Sequence, residues 1–245
     1  MDQPKYIIEI ATSDFVTTLA AVEGGADRIE LCANLAEGGT TPSPSHIRKC
    51  REAFEVDLFP IVRPRGGDFL YTEEEFDIML RDVRFCREAG CDGVVIGMLN
   101  ADGGIDTIRT AKLVEAAYPM GVTFHRAFDR CRDPFIATEQ LISLGCERIL
   151  TSGQQPAAPD GIAMIAELQK NYGNDIIIMP GSGVRKENIR TLAEQSGCRE
   201  FHSSLRMKKP GRMEFIHPAF ASSEESYKNN YIDAAEVRAL RAALG

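Results

Sequence analysis

No Cys-x-x-Cys pair occurs in the 245 residues, and the cysteine count, seven, is odd. Neither a disulfide framework nor a closed structural zinc site is therefore expected, and the thiols read as reduced. No uninterrupted apolar run approaches the roughly 18 to 20 residues that span a bilayer. The opening stretch MDQPKYIIEIATSDF lacks a basic segment followed by a long apolar one, so a cytoplasmic protein is expected. Positive charge is not in excess either. The 28 Lys and Arg stand against 36 Asp and Glu, a formal charge of -8, which argues against a broad nucleic-acid surface while leaving local pockets free to differ. Neither nucleic acid nor a membrane is an expected partner.

What is present is a mixed composition, 44% hydrophobic and 26% charged, enough to bury a full α/β core. Short β-branched runs recur at 6–11, 28–32, 58–65, 93–99, 121–127, 148–153, 176–183 and 200–204, each followed by helical spacing. Units of about 22 to 35 residues place successive strands in parallel, and a chain of this length matches the roughly 250 residues of a (β/α)8 TIM barrel. A doubly wound sheet would carry a glycine-rich turn after its first strand, where this chain has Glu9-Ile10-Ala11-Thr12-Ser13-Asp14.

The segments GGADRIEL (24–31), AGCDGVVI (89–96), LGCERILT (144–151) and SGCREFHS (196–203) form a near-repeat. Its glycine suits a left-handed helix C-terminus, and the small residue that follows (Ala26, Cys91, Cys146 or Cys198) should be buried where the chain enters a strand. Residues 205–230 show no steady periodicity and read as an extended loop, followed by a closing helix over 233–244. One domain over 1–245 is expected, with its core at about 6–204, and the long loop leaves room for a homodimer interface.

In such barrels the chemistry sits at the C-terminal ends of the strands. Alternation turns Glu9 inward between Ile8 and Ile10, Glu30 and Cys32 inward on strand two, Thr123 and His125 on strand five, and His202 on strand eight. Arg63 and Arg65 share a face on strand three, Arg126 and Asp129 follow strand five, and Ser152 ends strand six. Unpaired charges inside a barrel are unfavourable by several kcal/mol each, so these groups must pair, meet water or bind a ligand. One arrangement is an ion-pair network between Glu9, Glu30 and the arginines. The other is a ligand site, with Glu9, Glu30, His125, His202 and Asp129 as candidate catalytic groups and Arg63, Arg65, Arg126 and Ser152 holding an anion.

The segment GSGV (181–184) follows strand seven, ahead of a helix expected to open around Lys186-Glu187-Asn188. With HSS (202–204) it stands where many barrels cradle phosphate, which makes Gly181, Ser182, Gly183 and Ser203 candidate anion ligands; otherwise the glycines simply form a tight turn. For a metal, the best trio is Cys32, His125 and His202, one soft and two borderline ligands suited to copper or zinc if they meet at the axis.

The segments ELCANLAEGGTTPS (30–43), RPRGGDFLYTEEEF (63–76), TFHRAFD (123–129), LTSGQQ (150–155), GSGV (181–184) and HSS (202–204) together resemble the CutC family, in order across about residues 6–204. The resemblance implies a TIM barrel, a cytosolic location, and copper homeostasis with copper ion binding. Residue types alone suit a different role, a metabolic enzyme acting on a small phosphorylated or carboxylated molecule by His/Glu acid-base chemistry. Whether the chain is a catalyst stays open between these two.

Overall fold

The computed structural model describes residues 6–222 and 227–245. Residues 1–5 of the opening stretch and 223–226 of the expected loop lie outside them. Eight strands form where the β-branched runs predict them: β1 (Ile7–Thr12), β2 (Arg28–Leu31), β3 (Asp57–Pro60), β4 (Gly93–Ile96), β5 (Gly121–Phe124), β6 (Arg148–Thr151), β7 (Ile177–Pro180) and β8 (Glu200–Ser203). Between them run α1 (Phe15–Glu23), α2 (Pro44–Ala53), α3 (Glu73–Glu88), α4 (Thr107–Ala117), α5 (Pro134–Ser143), α6 (Ile162–Tyr172) and α7 (Ile189–Ser196). Local chemistry sets several helix starts. Asp14 and Thr17 form a reciprocal cap on α1, and Thr72 and Glu75 do the same on α3.

The strands pair in parallel as two arcs, β8-β1-β2-β3 and β4-β5-β6-β7. Ile61 bridges Val95, and the Val62 amide donates to the Val95 carbonyl at 2.8 Å, which joins β3 to β4. β8 lies beside β7, where Ser203 Oγ donates to the Val184 carbonyl at 2.8 Å. The result is a TIM barrel. Ile8, Ile10, Ile29, Leu31, Phe124 and Phe201 belong to the large core between strands and helices. Cys32, Phe59, Ile61 and Val95 form a separate cluster, which alternation places within the barrel. As the near-repeat predicts, Gly25, Gly90, Gly145 and Gly197 all have positive φ, and Ala26, Cys91, Cys146 and Cys198 are buried.

Three expectations need correction. After β1 the strands are shorter than their apolar runs, with β3 and β7 ending at Pro60 and Pro180, so Arg63, Arg65 and residues 181–183 sit on loops. The helix expected around Lys186 begins at Ile189 instead, because the Asn188 side chain accepts the Arg185 amide and donates to the Gly183 carbonyl, both at 2.9 Å. Part of 205–230 is an antiparallel ribbon of β9 (Met207–Pro210) and β10 (Lys228–Tyr231). Neither strand buries a face against a core, so neither shows the alternation that would reveal it. The closing helix α8 (Ala234–Ala242) forms as expected, capped by Asp233. Among the described residues no helix is long and apolar enough to cross a membrane.

The barrel base carries charge that alternation does not single out. Arg148, 1% exposed, donates Nε to Glu200 Oε2 at 2.6 Å and Nη1 to Thr123 Oγ1 at 3.1 Å. Arg28 donates Nη1 to the same Glu200 oxygen at 2.8 Å and to Glu9 Oε2 at 3.4 Å. Both guanidinium groups lie over the Phe59 ring, at 4.9 and 5.6 Å. Gly93 leaves room for that ring, since a Cβ there would come within 2.0 Å of it. Removing one member would leave two buried cations sharing too little negative charge. Glu200→Ala is therefore expected to cost about 3 to 5 kcal/mol, seen as a lower urea midpoint at unchanged m-value. A loss below about 1 kcal/mol would mean that water, not Glu200, balances the arginines.

Candidate active site

A cavity of about 830 Å³ opens at the C-terminal ends of the strands. Glu30, His125 and His202 reach it from the barrel interior, and Arg63, Arg126, Asp129, Ser182, Gly183 and Ser203 reach it from the surrounding loops and strand ends. Glu9, Cys32, Ser152, Gly181 and Arg65 are not in its wall.

On β8, His202 stands opposite Glu9 of β1 in register, and its Nδ1 lies 2.7 Å from Glu9 Oε1. Its Nε2 lies 3.8 Å from Glu30 Oε2. Burial alone would strip the proton from His202, but the Glu9 hydrogen bond and the charges of Glu30 and Glu9 outweigh it and raise its pKa. Burial pushes Glu9 up as well, yet the His202 bond and charge, with Arg28 and Arg148, leave it below the usual carboxylate value. Glu30 has no such balance. Burial and the neighbouring Glu9 charge raise it despite His202.

His125 follows β5, its amide donating to the Ile96 carbonyl at 2.7 Å. Its Nδ1 accepts the Ala127 amide at 3.1 Å, so the ring proton is on Nε2, and that atom is buried with no partner among the described residues. Burial and the Arg63 charge lower its pKa to about 3, so the ring is a neutral hydrogen-bond donor. Gly97 on the β4 side makes this placement available, because a Cβ there would stand 2.3 Å from the imidazole. A single glycine after an apolar run carries no signal of that role in the sequence.

Arg63 donates Nη1 to the Glu37 and Gly39 carbonyls at 2.8 Å and Nη2 to the Gly67 carbonyl at 2.9 Å, so most of its donors knit two loops together. Arg65 does not share its face. Arg65 Nε donates to Glu75 Oε1 at 2.6 Å and Nη2 to the Leu70 carbonyl at 2.8 Å, which fastens the start of α3 outside the cavity. Asp129 is likewise occupied. It accepts from Thr151 Oγ1 at 2.6 Å, the Ser152 amide at 2.9 Å and Arg126 Nε at 2.7 Å, which makes it a positioning group for Arg126 and leaves it poorly placed to exchange protons. Ser152 works from behind the wall, its Oγ accepting Arg126 Nη2 at 2.7 Å. Gly181 packs beneath His202, where a Cβ would meet Leu150 at 2.4 Å. Arg130, Arg185 and Arg206 also line the cavity and were not expected, since loop residues follow no strand alternation.

The expected metal trio is not assembled. The Cys32 thiol donates to Glu30 Oε2 at 3.4 Å, and burial together with the Glu30 charge raises its pKa well above the usual value. Among the described residues no three His, Cys, Asp or Glu side chains stand together as a metal-binding group.

Set against known proteins, the CutC family model matches residues 6–207. A family protein CutC from Chromobacterium violaceum is 48% identical over 241 residues, covering 97% of this chain and 98% of that one. Another from Parabacteroides distasonis is 52% identical over 212 residues, covering 86% and 87%. A solved structure from Streptococcus agalactiae, provisionally named a copper homeostasis protein CutC, superposes with a TM-score of 0.78 at 31% identity, over 81% of this chain and 98% of that one.

The two histidines predict opposite limbs of a stability profile. His125 falls from 6.5 when unfolded to about 3 when folded, so the unfolded state binds more protons between these values and stability drops as pH falls through that window. His202 is raised above 6.5 when folded, so its contribution is complete below 6.5 and is lost as pH rises through the folded value. Each limb approaches about 1.4 kcal/mol per pH unit. Urea titrations across pH should show His125→Gln flattening the acid limb and His202→Gln the alkaline one; the same limb flattened by both would contradict the assignment.

Proposed function

The chain belongs to the CutC family, and from that membership and its cavity we propose that it is an acid-base catalyst acting on a small carboxylated or phosphorylated molecule. One observation carries this reading: two buried histidines whose pKa values are shifted in opposite directions face a single cavity. His202, held at Nδ1 by Glu9, presents Nε2 as a proton donor to an oxygen that gains charge during reaction, and takes the proton back in the reverse sense. His125 offers its Nε2–H to the same developing charge without giving up a proton. Glu30, raised by burial, is a stronger base than an ordinary carboxylate and is suited to accept a proton from the bound molecule. Arg126, aligned by Asp129 and Ser152, faces an anionic group. The seven free, buried cysteines support residence in a reducing compartment such as the cytoplasm.

Copper homeostasis, carried over from the Streptococcus agalactiae relative, fits the donor set poorly. Cu(I) favours several soft sulfur ligands. Cys32 lies behind the wall, protonated and bonded to Glu30, and Met98 and Met179 are buried away from the cavity.

Turnover or solvent deuterium incorporation should appear with members of a panel of small phosphorylated and carboxylated metabolites. His202→Gln should lower kcat by about 10² to 10⁴-fold with little change in KM. Undiminished turnover in that variant, or none across the panel for the wild type, would sink the acid-base reading. In a separate titration against a chromogenic Cu(I) chelator, the reduced protein should take up no stoichiometric copper. One-to-one uptake that disappears in Cys32→Ser would restore the metal role.

A further inference from the structure

One end of the cavity carries donors that the chain itself does not use. Ser182 and Gly183 both adopt φ of 73°, a conformation that suits glycine and strains serine. The Ser182 carbonyl accepts from the Ala158 amide at 2.9 Å, and the Gly183 carbonyl accepts from Asn188 Nδ2 at 2.9 Å. In a trans peptide the N–H points opposite to the carbonyl, so fixing these two oxygens turns the Gly183 and Val184 amides the other way. No described residue accepts from either amide. The turn is clamped: Asn188 Oδ1 holds the Arg185 amide at 2.9 Å and Ser203 Oγ holds the Val184 carbonyl at 2.8 Å.

Two cations stand at this same end. Arg185 and Arg206 line the cavity beside Gly183 and Ser204, and neither guanidinium has an acidic partner among the described residues. Arg63 and Arg126, by contrast, spend donors on the protein. The cavity also holds a buried donor awaiting a ligand, since His125, 4% exposed, has an unpartnered Nε2. A carboxylate offers two oxygens in one plane. The Gly183 amide and two guanidinium groups outnumber them and suit the three free oxygens of a tetrahedral dianion.

We propose that Gly183, Arg185 and Arg206 hold the phosphate of a small phosphate monoester, whose reacting carbonyl or carboxylate end then faces His125 and His202. This names the substrate class for the acid-base reading above and rests on it. The phosphate is the handle, and the histidines act at the other end of the molecule.

The test is calorimetry on the full chain with 2-phosphoglycolate, glycolate and inorganic phosphate. Phosphoglycolate should bind about tenfold or more tighter than either glycolate or inorganic phosphate. Arg185→Ala and Arg206→Ala, both at exposed positions, should each weaken phosphoglycolate by about tenfold and leave glycolate unchanged. Equal affinities for phosphoglycolate and glycolate, no binding of phosphoglycolate, or no effect of either substitution would overturn the proposal. Inorganic phosphate binding as tightly as phosphoglycolate would also overturn it, marking a free-phosphate site. The two readings fail separately. A phosphate preference that persists while His202→Gln turns over normally removes only the acid-base chemistry, whereas His202-dependent turnover without that preference removes only the phosphate handle.

Discussion

The charge on Glu9 governs the interior of this barrel. The side chain has no exposure to solvent, so its carboxylate must be balanced within the protein. Each oxygen has its own partner: Oε2 meets Arg28 below and Oε1 meets His202 above. Arg28 in turn shares Glu200 with Arg148, so the chain of charge runs from the base of the barrel to its mouth. A network of this kind adds less stability than its attractions suggest, because every member was taken out of water. What it does secure is position. His202 is oriented, and its protonated form favoured, by groups that cannot move without exposing the rest.

The cavity above shows how environment separates two copies of one side chain. His202 faces two carboxylates and His125 faces an arginine, and both are buried. Burial disfavours the charged form in each case, but only His202 has acceptors strong enough to reverse it. Asp129 and Arg65 show the converse. Their charges are consumed in holding Arg126 and the start of α3, so they shape the site by positioning its neighbours.

Much of the fold is legible in the sequence because the signal is local. Eight β-branched runs, and the glycine followed by a small buried residue at the entry to four strands, report backbone conformations that short segments prefer on their own. Alternation then brings Glu9, Glu30, Cys32, His125 and His202 to the barrel axis. It does not separate the wall of the cavity from what lies behind it, so it gives no sign that Cys32 and Ser152 stand behind the residues that line it. Nor does it reach the loops that supply Arg130, Arg185 and Arg206, or the ribbon of β9 and β10, whose strands bury no face.

The strand-helix alternation, the parallel barrel and the inward set of polar residues are readable from the chain alone, since each follows from backbone preference and the two-residue period of a strand. Which carboxylate meets which cation, the downward shift of His125 against the upward shift of His202, and the bond from Cys32 to Glu30 without two histidines beside it are tertiary outcomes. Those outcomes depend on distances between residues far apart in the chain. Glu9 and His202 are separated by 193 positions, and electrostatic energies in a poorly solvated interior change steeply over the last few ångströms between such partners.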